Sequence, residues 1–555
     1  MPSFRADMDA EKAFLAVFIA LFLYFGPGIV FSHSINHAYP WAIQASDAFQ
    51  HQARVESIKA MGNYYNEASW ISAGFDDAVG FYPPLMYHAA ILFSNLGGME
   101  TYDGLYLFVF LSVLLSILLL YICIKRFDSV IAILSLPLTF LLFSVAENHV
   151  GPLQSFTFGV WPAFIGHLFL IALLWALLNI ELERSYILLA LVMSGMALGH
   201  TSELIIGILF IAVYLVFEYV IRQLSVSKLK TIIIAGGISF LVSLYYLIIF
   251  KYTWAYVQPF KFEVQSTTSD PTLYLADLSI LLAVLGIGLI LAIISFAKKR
   301  HLVLLFSFFA LLVSFSNYIG FGRHAFRIRA FWPVYLAVFF GFALYYGGKL
   351  LVKEWKELYA GAASLLMIAL ILAGIPLIPQ LPLEPAGSIM DQYHWDMFDW
   401  IKSNTEKEAT IFYFYGDIYQ HNALLRNSER RNVEINRNEY IEALQSGNLN
   451  RFMNATIHGD GGGVWYAYRD GLFDYGYHLT EKGRDYFYGQ KDLCGFEYYV
   501  FDKGTSIQQL QPLIEANMAI AQTYANAGME GVFQNEVVLV LKNNNVGGDC
   551  FAQKA

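Results

Sequence analysis

The sequence is poor in charge: Asp, Glu, Lys and Arg make up 14% of its 555 residues, against 57% hydrophobic. So small a polar fraction cannot cover a soluble globule, which excludes that class. Blocks of like charge are missing as well. Lys and Arg number 35 against 44 Asp and Glu, a formal net charge of -9. The basic residues are scattered in short turns, so the clustered Lys and Arg that a nucleic acid requires are absent and no nucleic-acid partner is expected. Cysteine is scarce. Cys123 falls in an apolar run, while Cys494 and Cys550 lie near the C-terminus, where a disulfide between them fits an oxidising compartment but does not follow from spacing. The glycine run Gly459-Asp460-Gly461-Gly462-Gly463 lacks the Lys and the strand–helix setting of a phosphate loop and reads as a flexible turn.

What remains is apolar runs, and a spanning helix needs about 20 largely apolar residues. Runs near 13–31, 103–124, 129–146, 156–179, 186–199, 204–221, 231–250, 273–296, 302–319, 330–348 and 358–378 predict about 11 transmembrane helices, with 129–146 and 186–199 short. The first run has no small-residue cleavage site after it and reads as a retained anchor. Lys125-Arg126, Arg222 with Lys228 and Lys230, Lys298-Lys299-Arg300, and Lys349 with Lys353 and Lys356 all fall on one side. The positive-inside rule makes that side cytoplasmic, with the N-terminus there. Residues 1–379 are then a polytopic membrane domain of the plasma membrane. Residues 380–555 form an extracytoplasmic α/β domain, with a helix over Trp395–Asn404, a strand over Thr410–Tyr415, a helix over Ile507–Ala527 and a strand over Glu536–Leu541. Its tyrosines and tryptophans suit sugar stacking, and equally an ordinary aromatic core.

Chemistry-bearing residues gather in the outer segments. In the loop 32–102, Asp47 opens a helical pattern carrying Phe49, Ala53, Ile58 and Met61, with Ser46 as its N-cap. A carboxylate at the mouth of a membrane bundle is costly without a role, so Asp47 is the leading candidate for catalysis. The plainer reading is that it complements the helix dipole. Asp76-Asp77 and the turn Tyr82-Pro83-Pro84-Leu85-Met86-Tyr87-His88 follow, the latter opening a short helix over Leu85–Leu96. At the next outer junction Glu147 and His149, two residues apart, suit Mg²⁺, Mn²⁺ or Zn²⁺ if the chain is extended there, or else mark an interfacial span end. Glu263, in the loop 251–272, is a further candidate. The loop 320–329 breaks the charge rule with Arg323, Arg327 and Arg329. They either snorkel to lipid headgroups or clamp a phosphate, since guanidinium groups pair with phosphate oxygens through two parallel bonds.

The first span, the outer loop with Asp47, the Pro-Pro-Leu-x-Tyr-His turn, Gly97-Gly98, the second span and Lys125-Arg126 together resemble the start of GT-C membrane glycosyltransferases. Glu147-x-His149 looks like the second metal motif of archaeal oligosaccharyltransferases. Gly159-Val160-Trp161-Pro162, Leu198-Gly199-His200-Thr201 and Asp396–Thr405 are similar to segments of the same group. The resemblance implies an essential carboxylate at Asp47, lipid-phosphate contacts from Arg323, Arg327 and Arg329, and a divalent cation, Mg²⁺ or Mn²⁺, at Glu147 and His149 with Asp47. The Trp-Trp-Asp acceptor motif of oligosaccharyltransferases has no counterpart, Val464–Gly471 being a faint echo.

The function expected is inverting transfer of a sugar from a polyprenyl-(di)phosphate donor to a glycan, lipid or protein acceptor on the outer face of the membrane. The alternative is a non-catalytic GT-C-like protein in cell-envelope assembly or lipid handling. A transporter would carry ionisable groups at mid-span and broken helices in paired halves, and neither pattern stands out.

Overall fold

The computed structural model describes residues 2–30, 38–40, 47–64, 68, 70, 82–143, 159–257, 280–352, 355–374, 390–414, 426–434, 494–505 and 508–547. The chain begins with α1 (Pro2–Val30), α2 (Asp47–Met61), α3 (Leu85–Gly97), α4 (Thr101–Lys125) and α5 (Ser129–Ser135). There follow α6 (Trp161–Leu178), α7 (Ser185–Gly199), α8 (Thr201–Val220), α9 (Val226–Val257), α10 (Ile280–Lys299) and α11 (Leu302–Val313). The bundle closes with α12 (Gly322–Ala330), α13 (Trp332–Tyr335), α14 (Ala337–Leu351) and α15 (Trp355–Gly374).

Within the described residues every predicted apolar run is met by helix, and the differences have local causes. The run 129–146 is α-helical only through Ser135 and continues as a 3₁₀ segment, Leu136–Phe143. Pro137 has no N–H for the α-helical bond and crowds the preceding turn, which favours the tighter winding. Helix α9 runs on to Val257, into the segment expected as a loop. The arginine segment 320–329, expected as a loop, contains the nine-residue helix α12. Its Ala325, Ile328 and Arg329 side chains are buried and Phe326 and Arg327 half-buried, so packing against the bundle supplies the order that its polar sequence does not show.

Among the described residues, five helices can cross a membrane by length and composition: Thr101–Lys125, Trp161–Leu178, Thr201–Val220, Val226–Ile248 and Leu281–Lys299. Five shorter apolar helices accompany them, among them Ser185–Gly199 and Ala337–Leu351. Only 28% and 22% of the apolar windows in Val226–Ile248 and Leu281–Lys299 are buried in protein. Ile233, Phe240, Leu241, Ile287 and Ile290 therefore face outward, an apolar surface that a bilayer would cover. The first and fourth helices run antiparallel. Glu11 near the start of α1 accepts from Tyr121 and Lys125 at the end of α4, and further along Phe22 stacks on Phe110 at 5.4 Å. Those contacts place the start of α1 at the end of the bundle where α4 ends.

After the bundle, α16 (Gln392–Asn404) and α17 (Gln511–Asn526) accompany a five-stranded sheet of order β2-β1-β3-β5-β4. The strands are β1 (Thr410–Tyr413), β2 (Arg431–Glu434), β3 (Tyr498–Asp502), β4 (Glu530–Gln534) and β5 (Val538–Lys542). β1 pairs in parallel with β2 and β3, and β5 antiparallel with β3 and β4. α16 starts three residues before the predicted Trp395, because Asp391 caps it and accepts from the His394 N–H at 3.0 Å. Trp395 meets Tyr102 edge-on with ring centroids 5.7 Å apart, which seats this unit at the end of the bundle where α4 begins. Cys494 is disulfide-bonded and Cys123 is buried and free, while Cys550 lies outside the described residues.

Candidate functional site

Asp47 is the first residue of α2 and is exposed, as predicted for a carboxylate at the opening of an interfacial helix. The turn ahead of α6 presses against it. Gly159 has φ +88°, and a Cβ there would fall 2.2 Å from the Ala48 amide nitrogen and 2.8 Å from the Asp47 carbonyl carbon. Only glycine can bring the backbone so close in that conformation. One turn along α2, His51 Nε2–H donates to the Gly159 carbonyl at 3.1 Å, and its Nδ1 accepts from the Tyr87 hydroxyl at 2.9 Å. Because a carbonyl can only accept, these partners fix the neutral tautomer. Burial, with the charge of Arg54 nearby, pushes the imidazole down to about 3. Trp161 and Tyr82 close this pocket around His51, with ring centroids 5.9 and 5.3 Å away.

Facing it is a second cluster built from the starts of α6 and α8 and from α12. His200, between α7 and α8, is buried and shares a short contact from Nδ1 to the carboxylate of Glu203. Arg327 Nη1 donates to His200 Nε2 at 2.5 Å. A guanidinium cannot accept, so His200 takes that bond on a lone pair and gives its Nδ1 proton to Glu203. Burial and the Arg327 charge lower the His200 pKa, against the opposing pull of Glu203. Glu203 is fully buried, and its Oε1 has no hydrogen-bond partner among the described residues. α6 comes close here because Gly166 lacks a side chain, and a Cβ on it would lie 2.7 Å from Glu203 Oε2. Next along α6, His167 Nε2–H donates to the Arg327 carbonyl at 3.1 Å while its Nδ1 accepts from Tyr335 at 3.0 Å, which fixes α12 to the bundle. Tyr82 joins the two clusters. Its phenol, raised by burial, feels the charges of Arg327, Asp47, Arg54 and Glu203.

Asp47, His200 and Arg327 are thus brought to one end of the bundle. Arg329 lies on the same helix but is fully buried, donating to the Ser314 carbonyl at 2.6 Å and to Asn317. Arg323 belongs to α12, and its side chain lies outside the described residues, as do Ser46, Asp76, Asp77, Glu147, His149, Glu263 and residues 464–471. His88 is exposed, its ring 5.8 Å from that of Tyr64, about a hundred degrees around α3 from the inward Tyr87. Among the described residues no three His, Cys, Asp or Glu side chains gather as a metal site. Sequence reasoning missed His51, Trp161, His167 and Glu203 as members of the site. The readable signal was ionisable residues inside otherwise apolar runs, as with His167 and Glu203.

No protein-family model and no curated protein matches the sequence. Solved structures do. ArnT from Cupriavidus metallidurans bound to undecaprenyl phosphate is similar at TM-score 0.54 and 12% identity, over 97% of this chain and 99% of that one. The oligosaccharyltransferase AglB from Archaeoglobus fulgidus, in complex with an inhibitory peptide and a dolichol-phosphate, is similar at TM-score 0.51 and 11% identity, over 76% and 64%. An Archaeoglobus fulgidus oligosaccharyltransferase in complex with Zn and sulfate is similar at TM-score 0.52 and 12% identity, over 95% and 73%. At such identities the likeness shows the fold alone, a bundle of apolar helices followed by a small sheet.

Proposed function

We propose that the chain is an inverting glycosyltransferase that moves a sugar from a polyprenyl-(di)phosphate donor to an acceptor hydroxyl or amide at the outer end of about 11 spans. One observation carries the reading. Arg327, braced by His200 and the buried Glu203, and the exposed Asp47 stand near enough to Tyr82 for both charges to act on its phenol, which supports a reading in which a cation suited to phosphate and a carboxylate suited to proton removal serve one site. The neighbours bound to undecaprenyl phosphate and dolichol-phosphate support a donor of that class.

In this reading the polyprenyl tail lies between spans and Arg327 holds the phosphate, with Arg323 and Arg329 as further candidates on α12. The acceptor oxygen, or nitrogen, attacks the anomeric carbon from the face opposite the phosphate. The bond from that carbon to the phosphate oxygen breaks with its electron pair going to the phosphate, and the acceptor proton passes to Asp47. Charge then develops on the leaving phosphate, where a fixed guanidinium in a water-poor site acts most strongly. A divalent cation, Mg²⁺ or Mn²⁺, at Asp47 with Glu147 and His149 belongs to the proposal and would add Lewis-acid neutralisation of that phosphate. Asp47 is the one described member of that set.

The test uses purified protein in nanodiscs with a panel of polyprenyl-phosphate sugars. Released polyprenyl phosphate and labelled acceptor are the expected products. Arg327→Ala should weaken retention of the donor lipid by about 10-fold or more, as loss of a charge-assisted phosphate contact implies. Unchanged retention would return the α12 arginines to the snorkelling role, and no product with any donor tried would favour lipid handling without catalysis.

A further inference from the structure

The end of the bundle opposite the candidate site carries a cavity of about 690 Å³, lined by the ends of α4, α6, α8 and α10 and the starts of α9 and α11. Its volume lies in the range of pockets that take small molecules. Five cations line it, Arg126, Lys228, Lys298, Lys299 and Arg300, with two carboxylates, Glu181 and Glu218. Both carboxylates are spent on one cation: Lys228 lies 2.6 Å from Glu218 and 3.2 Å from Glu181. Among the described residues no carboxylate comes within ion-pair distance of the other four.

Those four cations are not a loose fringe. Arg126 is held in place: Nη2 donates to Asn179 Oδ1 at 2.6 Å, Nη1 to the Leu178 carbonyl at 3.3 Å, and the guanidinium lies 4.7 Å over the Trp175 ring. A planar group fixed in this way loses little freedom when it takes up an oxyanion. Lys299 Nζ sits 4.5 Å over the Phe127 ring. Arg300 has φ 47°, a conformation uncommon for a side-chain-bearing residue, and its N–H bonds to the Phe296 carbonyl at 2.8 Å, which turns the chain sharply into the cavity wall. His301, beside them, is lowered by burial and by the charges of Lys299 and Arg126. Unpaired cations crowded around a concave space repel one another, and a multiply charged oxyanion relieves that repulsion.

We propose that this cavity is a second, independent site that binds a phosphate group, with Arg126 as the fixed contact and Lys298, Lys299 and Arg300 completing the charge. The phosphate can belong to an anionic lipid headgroup or to a soluble phosphate ester, and the two differ in how they reach it. The proposal does not depend on glycosyl transfer at the other end.

The full-length protein in nanodiscs of phosphatidylcholine doped with phosphatidic acid provides the test, with bound lipid counted by native mass spectrometry after detergent extraction. Wild type should retain phosphatidic acid, and Lys298→Gln with Arg300→Gln should reduce retention by about 10-fold, each charge near the surface contributing to the loss. Arg126→Lys keeps the charge but not the fork, and should fall between. Thermal unfolding of each variant guards against misfolding, and polyprenyl-phosphate retention at the Arg327 site should not change. Displacement of the lipid by inorganic phosphate assigns the site to soluble phosphate esters, and resistance to it assigns the site to a headgroup. Equal phosphatidic acid retention by wild type and the double variant, with no phosphate-dependent stabilisation of wild type, overturns the proposal.

Discussion

Asp47→Asn is expected to lower glycosyl transfer from a polyprenyl-phosphate sugar by about 10²-fold or more while thermal stability stays close to wild type. The substitution keeps the side chain's shape and its ability to accept hydrogen bonds, and removes only the charge that takes the acceptor proton. Asp47 is exposed at the start of α2, so the change buries nothing new. The competing account, a carboxylate that complements the helix dipole, predicts the opposite pairing: a stability loss below about 1 kcal/mol and unaltered turnover. Measuring kcat and unfolding on the same purified pair separates them, because the two accounts exchange which quantity moves. Full activity in the Asn variant removes Asp47 from the mechanism.

His394→Leu is expected to destabilise the C-terminal sheet unit by about 3–5 kcal/mol, the range for breaking a buried ion pair from one side. His394 is fully buried between two acids, with Nδ1–H on Asp391 at 2.6 Å and Nε2–H on Asp502 at 3.0 Å. Burial disfavours its cation, but Asp502 and Asp391 outweigh burial and hold the imidazole up to about 10. It is therefore an imidazolium at neutral pH that links the start of α16 to the end of β3. The folded pKa lies above the ordinary value near 6.5, so the folded state binds more protons between those values. This stabilisation is present in full below about 6.5 and is lost as pH rises through about 10. Hydrogen exchange of β3 and α16 amides between neutral and alkaline pH reads it out locally, without assuming that the whole chain unfolds in one step. Loss of protection in wild type over that window, and a variant weak throughout, is the expected pattern. A variant as protected as wild type at neutral pH would show that the triad contributes nothing to stability.

The parts of the fold readable in the sequence were those set by local pattern. Apolar runs gave the helices because a run of about 20 such residues has few alternatives, and α2 could be placed to its first residue at Asp47. The arginine segment misled because its apolar stripe, Ala325 and Ile328, is too short to stand out among nine residues rich in charge. Its order comes from partners such as Ser314 and Asn317 on Arg329 and His167 on the Arg327 carbonyl, a bond that spans 160 positions. His51 escaped for a like reason. Its partner Gly159 is 108 positions away, and nothing near His51 announces a buried, neutral imidazole. Glu203 stood in plain view in the first turn of an apolar helix, but its neighbours Gly166 and Arg327 become visible only once three helix starts converge. Strands β2 and β4 mix charged and apolar residues and show no apolar run like those of β1 and β5, whereas β3, the fully buried Tyr498–Asp502, carries such a run and is the strand the sequence pattern could have given.

The most direct test of the account is where the donor's phosphate sits. A cryo-electron-microscopy structure of the protein in nanodiscs with a bound polyprenyl phosphate should place phosphate density about 3 Å from the Arg327 guanidinium, the distance of a charge-assisted hydrogen bond, with the lipid tail leading out between helices and Asp47 across the same opening. Lipid phosphate held away from α12, with Arg327 still engaged only by His200, would contradict the account.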